Sequence, residues 1–349
     1  MNHLIIASFN INSIRYKFEQ LKFLIEDNVD ILVIQETKLD ATFPHGQFHL
    51  NGFSPPFRKD RNKQGGGIMI FIRDTIPAKI LNEFQLPNDI EGIFIELNLR
   101  HNKWLLFGSY HPPNQCSNYY FSEVGIVLEK YQERYEKYVL VGDFNREETE
   151  PILDNFMVDF GLNNIVKDKT CYKNRNNPKC IDLILTNKRR MFQHTTTIDI
   201  GISDFHKMVL SSFKSKYEPG KPKEVVYRDY KHFNNDNFRE ELKAATGDTC
   251  NTWDSLETRF LNILNKHAPI KKKTIRGNHA PYMTKSLKKA IMKRTQLANK
   301  YHKHSNEENF KKFKKQKNFV NRLYKREKKT FYQNLSLNDL QDNKNSGRT

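Results

Sequence analysis

Six places between residues 10 and 206 put an amide, a carboxylate, a phenol or an imidazole where a short apolar run begins or ends. They are Asn10 and Asn12 in SFNINSIR, Glu36 in IQETKL, Tyr110 and Asn114 in SYHPPN, Asp143 and Asn145 in VGDFN, Asp182 in CIDLIL, and Ser203, Asp204 and His206 in ISDFHKMV. Strand ends are where a rigid scaffold presents its functional groups. Taken singly, each has a plain explanation: Asn and Asp close strands as turn formers, Glu36 can be a solvated strand end, and His206 can be a surface histidine. Taken together, their types and order suit the cutting of a phosphodiester. That reaction needs a hard cation to neutralise the charge developing at phosphorus, a water made nucleophilic and aimed in line, and a donor for the phosphate oxygens. A carboxylate with an amide oxygen makes a loose Mg2+ site that leaves positions for water and substrate. An Asp and an Asn two residues apart on one loop can take a water's proton and fix its direction. A histidine held by a buried carboxylate can be charged and donate to the phosphate.

The elements that must position these groups are short. His3–Phe9, Ile31–Gln35, Gly67–Ile72, Ile93–Leu99, Trp104–Tyr110, Tyr138–Gly142, Asp182–Thr186 and Met208–Phe213 are rich in Ile, Val, Phe or Tyr, which predicts strands. Leu21, Phe23, Leu24 and Ile25 mark a helix after the first strand, and Tyr119–Tyr135 predicts another. Many strands with few helices predict two packed sheets flanked by helices. Gly65, Gly66 and Gly67 read as a flexible loop entering a strand, because no helix or GK[ST] follows as a phosphate cradle would require. Lys59, Arg61 and Lys63, just before it, form either a loop that contacts a nucleic-acid backbone or a solvated charge cluster.

At 349 residues the chain has room for one large α/β domain and something smaller. Although 28% of residues are charged, 25 Phe and 15 Tyr supply core material. No run nears the roughly 18 apolar residues of a membrane span, and the start lacks a signal-peptide core and cleavage site. The four cysteines show no CxxC spacing, which suits the cytosol or nucleus, and Cys171 with Cys180 lacks partners at zinc spacing. The net charge of +18 is unevenly placed: residues 1–213 carry 25 Lys+Arg against 26 Asp+Glu, and residues 214–349 carry 33 against 14. Such polarity is expected when one part performs chemistry and another grips a polyanion.

The composition changes after Phe213, where KSKYEPGKPKEV has the prolines, glycine and lysines of a linker, taken as 214–232. A basic, mainly helical extension is expected over 233–335, followed by a frayed end at 336–349. Trp253, Leu256, Phe260, Ile263, Leu264 and His267 share a helix face; so do Leu287, Ile291, Arg294, Ala298 and Tyr301, and then Phe310, Phe313, Val320 and Tyr324. Ser305 with Glu308 has capping-box spacing, and two basic helices joined as a hairpin are the simplest reading. Residues 270–332 carry 21 Lys+Arg against 3 Asp+Glu, interleaved with Tyr and Phe, a stripe that attracts nucleic acid by counterion release. The bland alternatives are a merely soluble basic hairpin and a calmodulin- or membrane-surface-binding helix.

The ordered set N-I-N, Q-E-T, Y-x-P-P-N, G-D-F-N, I-D and S-D-x-H over residues 1–213 resembles the endonuclease/exonuclease/phosphatase superfamily, which includes DNase I-like nucleases and abasic-site endonucleases. The resemblance implies a four-layered α/β sandwich, two packed mixed β-sheets flanked by helices, with the site at one rim. By resemblance, Asn10 and Glu36 hold Mg2+ or Mn2+, with Asp204 as a second acidic group beside the metal. Asp143 activates the water and Asn145 orients it; Tyr110 and Asn114 flank the phosphate; Asp182 orients His206. Asn12, Arg15, Lys59, Arg61, Lys63, Lys271, Lys272 and Lys273 are the expected nucleic-acid contacts. One departure stands out: the family usually has Asp and His adjacent, whereas Phe205 intervenes here, and a one-residue shift flips a strand side chain to the other face unless a bulge restores it.

The segments HAPYMTKSLKKAIMKRTQLANKY and FKKFKKQKNFVNRLYKREKKTFY resemble the connector after the endonuclease of non-LTR (LINE-type) retrotransposons, where a reverse transcriptase normally follows. No polymerase palm or paired-Asp motif is found before Thr349, so the resemblance implies a truncated element protein able to make the priming nick. The expected function is metal-dependent nicking of DNA. The alternatives are an abasic-site repair endonuclease and a non-catalytic nucleic-acid-binding remnant. DNA is the expected partner, RNA a second one through the extension, and the nucleus the expected location, with the cytoplasm as the other compartment.

Overall fold

A computed structural model describes residues 3–25, 28–99, 102–214, 224–245, 253–274, 282–304 and 306–333. Along the chain run β1 (Leu4–Asn10), α1 (Phe18–Ile25), β2 (Ile31–Gln35), β3 (Phe57–Lys59), β4 (Ile68–Ile72), β5 (Ala78–Ile80), β6 (Glu91–Leu99) and β7 (Asn102–Tyr110). Then come α2 (Ser117–Gln132), β8 (Tyr138–Asp143), α3 (Pro151–Asp159), β9 (Asn163–Asn164), β10 (Asp182–Thr186), β11 (Phe192–Ile198) and β12 (Met208–Phe213). The remainder is β13 (Glu224–Arg228), α4 (Asn235–Ala245), α5 (Trp253–His267), β14 (Ile270–Thr274), α6 (Lys285–Lys303) and α7 (Glu307–Gln333).

Two six-stranded sheets form, in the orders β11-β12-β1-β2-β4-β3 and β5-β6-β7-β8-β10-β9. Each is mixed: β1 and β2 are parallel in the first, β7 and β8 in the second, and the other pairs are antiparallel. Alternation along the strands sorts the side chains into layers. Ile6, Val33, Ile70, Ile95, Leu106, Val141, Ile184 and Val209 meet between the sheets. Phe9, Leu32, Ile34 and Phe71 point the other way, onto Phe18, Leu21 and Ile25 of α1. Phe107, Leu140 and Leu183 pack on Tyr120, Val124 and Leu128 of α2 and on Leu153 and Phe156 of α3. The expected four layers of helix, sheet, sheet and helix are therefore present.

The chain divides into two compact units, residues 1–220 with 279–349, and residues 221–278. In the second unit β13 pairs antiparallel with β14, so part of the stretch read as linker is a strand, and Lys271, Lys272 and Lys273 lie on a ribbon edge of that unit instead of a helix. Phe233, Phe238, Phe260 and His267 form its aromatic cluster.

α6 and α7 form the expected hairpin and belong to the first unit. Tyr282, Leu287 and Ile291 pack on Val320, Leu323 and Tyr324, with Phe23 and Leu24 of α1 closing the cluster. Arg294 is 1% exposed, so this basic residue is a core group and not part of the outer stripe. Ser305 and residues 336–349 lie outside the described residues. Asn306 takes the capping role at the start of α7, its Oδ1 accepting the amide of Asn309 at 2.8 Å. Among the described residues, no helix is long and apolar enough to cross a membrane.

Candidate active site

Strand parity explains why the candidate groups meet. Tyr110 shares the inner face with Leu106, and Val139 and Val141 lie there on β8, with Ile184 on β10 and Leu4 and Ile6 on β1. Two-residue alternation then brings Asp143, Asp182 and Asn10 to that same inner side, at one rim of the sandwich. Register sets them level: Asp143 lies opposite Tyr110 on one side and Asp182 on the other. Asn10 reaches across from the facing sheet. Its Nδ2 donates to Glu36 Oε1 at 3.0 Å and to Asp143 Oδ2 at 2.9 Å, so a single amide joins the two carboxylates. Tyr110 donates its hydroxyl to Glu36 Oε1 at 3.1 Å.

His206 Nδ1 sits 2.9 Å from Asp182 Oδ2, and His206 Nε2 is 3.7 Å from Cys171 Sγ. Ligand atoms of Asp143, Asp182 and His206 all lie within 4.8 Å of one another. The residue inserted in S-D-F-H is absorbed by a turn. Phe205 points outward, 42% exposed, and the chain is re-anchored by Tyr172 N to Phe205 O at 2.7 Å and Lys207 N to Thr170 O at 2.8 Å. The turn thus keeps His206 on its carboxylate. Asp204 is exposed, pairs with Lys317 of α7 and, like Glu36, lies outside the Asp143, Asp182 and His206 cluster.

The supporting turns are strained. Among the described residues, six non-glycine positions have positive φ, and Asn12, Ser13, Glu36, Lys38 and Asn145 are five of them. A left-handed residue costs roughly 1–2 kcal/mol, and such strain persists only where neighbours over-determine it. Here they do. Ser13 N bonds Glu36 O, Ile14 N bonds Thr37 O, Thr37 N bonds Gly67 O and Lys38 N bonds Gly66 O, so the turn after β1, the turn after β2 and the glycine loop are tied in series. On the other sheet Asn145 N donates to Asp143 Oδ1 at 2.9 Å and Asn145 Nδ2 to His111 O at 2.8 Å, while His111 N donates to Asp143 O at 2.9 Å. The glycines therefore brace the Glu36 turn. Gly67 has φ +88°, and a Cβ there would collide with Thr37 Oγ1. Gly67→Ala is expected to cost about 1–3 kcal/mol of stability and to reduce activity further by moving Glu36, read by denaturant unfolding beside turnover.

Two participants escaped the sequence reading. Buried His111 bonds Phe144 O through Nδ1 at 2.8 Å, and burial holds its pKa below the usual value. Glu91, 3% exposed, accepts from Gly67 N and from Arg61 Nη1, the latter at 2.7 Å. Burial raises its pKa against the pull of these donors. A lone acid at a strand entrance carries no sequence signal; only the pairing of Glu91 with Tyr110 reveals it.

The remaining candidates are scattered. Lys59 Nζ donates to Ile90 O at 2.7 Å, and Arg61 is held by Glu91 and Gly65 O, so both cations brace the loop. Lys63 pairs with Asp40 at 3.3 Å, and Arg15 Nη2 bonds Lys63 O at 3.2 Å. Asn12 Oδ1 accepts from Lys38. Asn114 is exposed in the turn after β7. Lys271 pairs with Asp229 and Lys272 is exposed, both in the second unit; the side chain of Lys273 lies outside the described residues.

Electrostatics separates the roles. Burial would raise the Glu36 pKa, but hydrogen bonds from Asn10 and Tyr110 and the charge of Lys38 bring it below the ordinary value. Asp143 is raised, first by burial and then by the facing Asp182 carboxylate. Burial disfavours a charged His206, yet Asp182 outweighs it and holds the imidazole pKa well above its usual value. An acid held below its ordinary pKa, an acid held above it and an imidazole held above its own thus share one rim. Glu36 offers carboxylate oxygens to a hard divalent cation; Asn10 turns Nδ2 toward Glu36 and Asp143 while its Oδ1 accepts from Asn12 N at 3.1 Å, so Asn10 fits such a cation with its amide turned over. His206, kept charged by Asp182, fits better as a donor than as a ligand.

The model of the Endonuclease/Exonuclease/phosphatase family matches residues 7–204, more than half of the chain and every motif residue except His206. The chain belongs to this family. A second model, the female sterile protein K10 C-terminal domain, matches residues 283–344, over the basic hairpin. No curated protein matches the sequence. Solved structures similar to this family member include a 3'-5' exonuclease (NExo) from Neisseria meningitidis, with 20% identity over 60% of this chain and 100% of that one, TM-score 0.49. The endonuclease domain of TRAS1, a telomere-specific non-LTR retrotransposon, has 12% identity over 61% and 99%, TM-score 0.49. An AP endonuclease from Archaeoglobus fulgidus has 18% identity over 60% and 99%, TM-score 0.46.

Proposed function

We propose that this family member is a divalent-metal-dependent endonuclease that hydrolyses phosphodiester bonds in DNA, making the nick that primes non-LTR retrotransposition. The observation that carries the reading is the meeting of Glu36, Asn10, Tyr110, Asp143 and the Asp182–His206 pair at one rim. The basic hairpin in the same unit, with Lys289, Lys293, Lys300, Lys311 and Lys315 exposed, supports a polyanionic substrate. Asp143 takes the water's proton and Asn145 orients it. His206, held by Asp182, donates to the phosphate oxygens, and Tyr110 and Asn114 flank them. Glu36 would hold Mg2+ or Mn2+, joined by Asn10 once its amide is turned to present Oδ1, and the cation would supply charge neutralisation at phosphorus. Action on chromosomal DNA would place the protein in the nucleus.

The test is nicking of supercoiled plasmid by the full chain in Mg2+ or Mn2+. No cleavage, or cleavage unaffected by Glu36→Ala, removes the reading. Cleavage of an abasic duplex far above intact DNA replaces it with repair, and salt-dependent DNA binding without cleavage replaces it with a non-catalytic binder. Cation binding has its own readout. Mg2+ at a hundred times its dissociation constant stabilises the folded state by about 2.7 kcal/mol, so the melting temperature is expected to rise with Mg2+ and to stay flat in Glu36→Ala.

A further inference from the structure

By composition alone the basic hairpin is a tail that grips nucleic acid apart from the catalytic domain. Its packing says otherwise. Arg294 of α6 donates to Gln20 Oε1 at 2.7 Å and to Ile200 O at 3.1 Å, and Thr295 donates to the same carbonyl at 3.2 Å. Asn299 exchanges hydrogen bonds with the backbone of Asp199, and His302 Nε2 sits 2.5 Å from Asp199 Oδ2. Arg175 lies over the Phe310 ring, 4.0 Å from its centroid. The contacts to Asp199 and Ile200 fall on the segment that leads into Asp204 and His206, and those to Gln20 and Arg175 tie the hairpin to α1 and to the segment before β10. α7 is thereby fixed with one basic side chain aimed at the catalytic rim, and Lys317 meets Asp204 across 113 residues of sequence.

That contact sits in a cluster of charges. Lys17 donates to Ile11 O and Asn12 O, both at 2.7 Å, and Lys38 pairs with Glu36 at 3.2 Å. Lys17 feels the charges of Asp204, Lys317, Lys38 and Glu36 together. Three ammonium groups thus gather with two carboxylates beside the rim. An ammonium has three donors: with one on Asp204, Lys317 keeps others for an anion, and its side chain is 23% exposed.

We propose that Lys317 is a substrate-contacting residue of the nuclease site, supplied from the helical hairpin, whose ammonium binds a nucleic-acid phosphate next to the scissile bond while Asp204 steers it. The inference rests on the nuclease reading of the same rim. It differs from general basic attraction because Lys317 is held in one place by a docked helix.

Binding of a short fluorescent duplex to the full chain by anisotropy, across a salt series, tests it together with steady-state nicking. Lys317→Met is expected to weaken binding about 10-fold, raise KM by a similar factor with a smaller fall in kcat, and reduce the salt slope by about one. Lys317→Arg restores most of the affinity. Lys103→Met removes the same charge from the far end of β7 and changes neither. Unchanged affinity and KM in Lys317→Met overturn the proposal and leave the ion pair as a mere clamp. Tighter binding or faster nicking overturns it too, because Lys317 would then occlude the rim. Absence of nicking by the unmutated chain counts against the nuclease reading, and the binding series still decides whether Lys317 meets the duplex.

Discussion

Asp143→Asn is expected to lower kcat for nicking at least about 1,000-fold, roughly 4 kcal/mol of barrier at 1.36 kcal/mol per decade, with little change in fold. Asp143 is 1% exposed, accepts from Asn10 Nδ2 and Asn145 N, and faces Asp182. The amide keeps the shape and removes the proton acceptor. It forfeits one accepted hydrogen bond, worth about 1 kcal/mol, and relieves the repulsion from Asp182. The pH dependence of stability separates this from simple damage. The folded pKa of Asp143 is raised above its ordinary value, so its ionisation opposes folding, and stability falls as pH rises from about 4 toward that folded pKa. Asn does not titrate. Stability of Asp143→Asn relative to the unmutated chain is therefore expected to improve with pH above about 4, as urea unfolding at several pH values would show. Retention of more than a tenth of the activity would exclude Asp143 as the proton acceptor.

The strands were legible because both faces of these sheets are covered. Ile31–Gln35, Asp182–Thr186 and Met208–Phe213 begin and end where their apolar runs do. β3, β5 and β9, two or three residues each, and the polar β11 carry too little apolar pattern to be read, since edge strands are defined by their partners. Site positions followed from the strand ends, because parity and register convert sequence spacing into convergence. What the motifs could not carry is the company that each group keeps. Glu91 and His111 become participants only through pairing and burial. Lys59 and Arg61 look like substrate contacts in sequence, yet lie against carbonyls and Glu91. Arg294 and Lys317 belong to a basic stripe by composition and are separated by where their helix faces point. Charge counts sum over a segment, whereas function depends on which charge is turned inward.

Asp182→Asn is expected to cost about 100-fold in kcat and to shift the alkaline limb of the pH–rate profile toward acid by at least one unit. Asp182 is fully buried, donates its backbone amide to Thr170 Oγ1, and holds His206 Nδ1 through both carboxylate oxygens. His206 otherwise faces Cys171 Sγ at 3.7 Å and the charge of Asp143. With Asp182 ionised, the imidazole pKa stands well above its usual 6.5, so the donor stays protonated through neutral pH. Without that charge, burial dominates and favours the neutral ring, which moves the pKa down and removes the proton at lower pH. Stability follows the same sign. A raised histidine pKa contributes stability that is fully present below about 6.5 and lost as pH rises through the folded value, and Asp182→Asn should abolish that dependence. His206→Gln should remove the alkaline limb altogether, and the double variant should lose little more than either single one, because the pair acts as a unit. An alkaline limb that stays in place in Asp182→Asn would mean that His206 is not the charged donor to the phosphate, and that Asp182 serves only to hold β10 against β8.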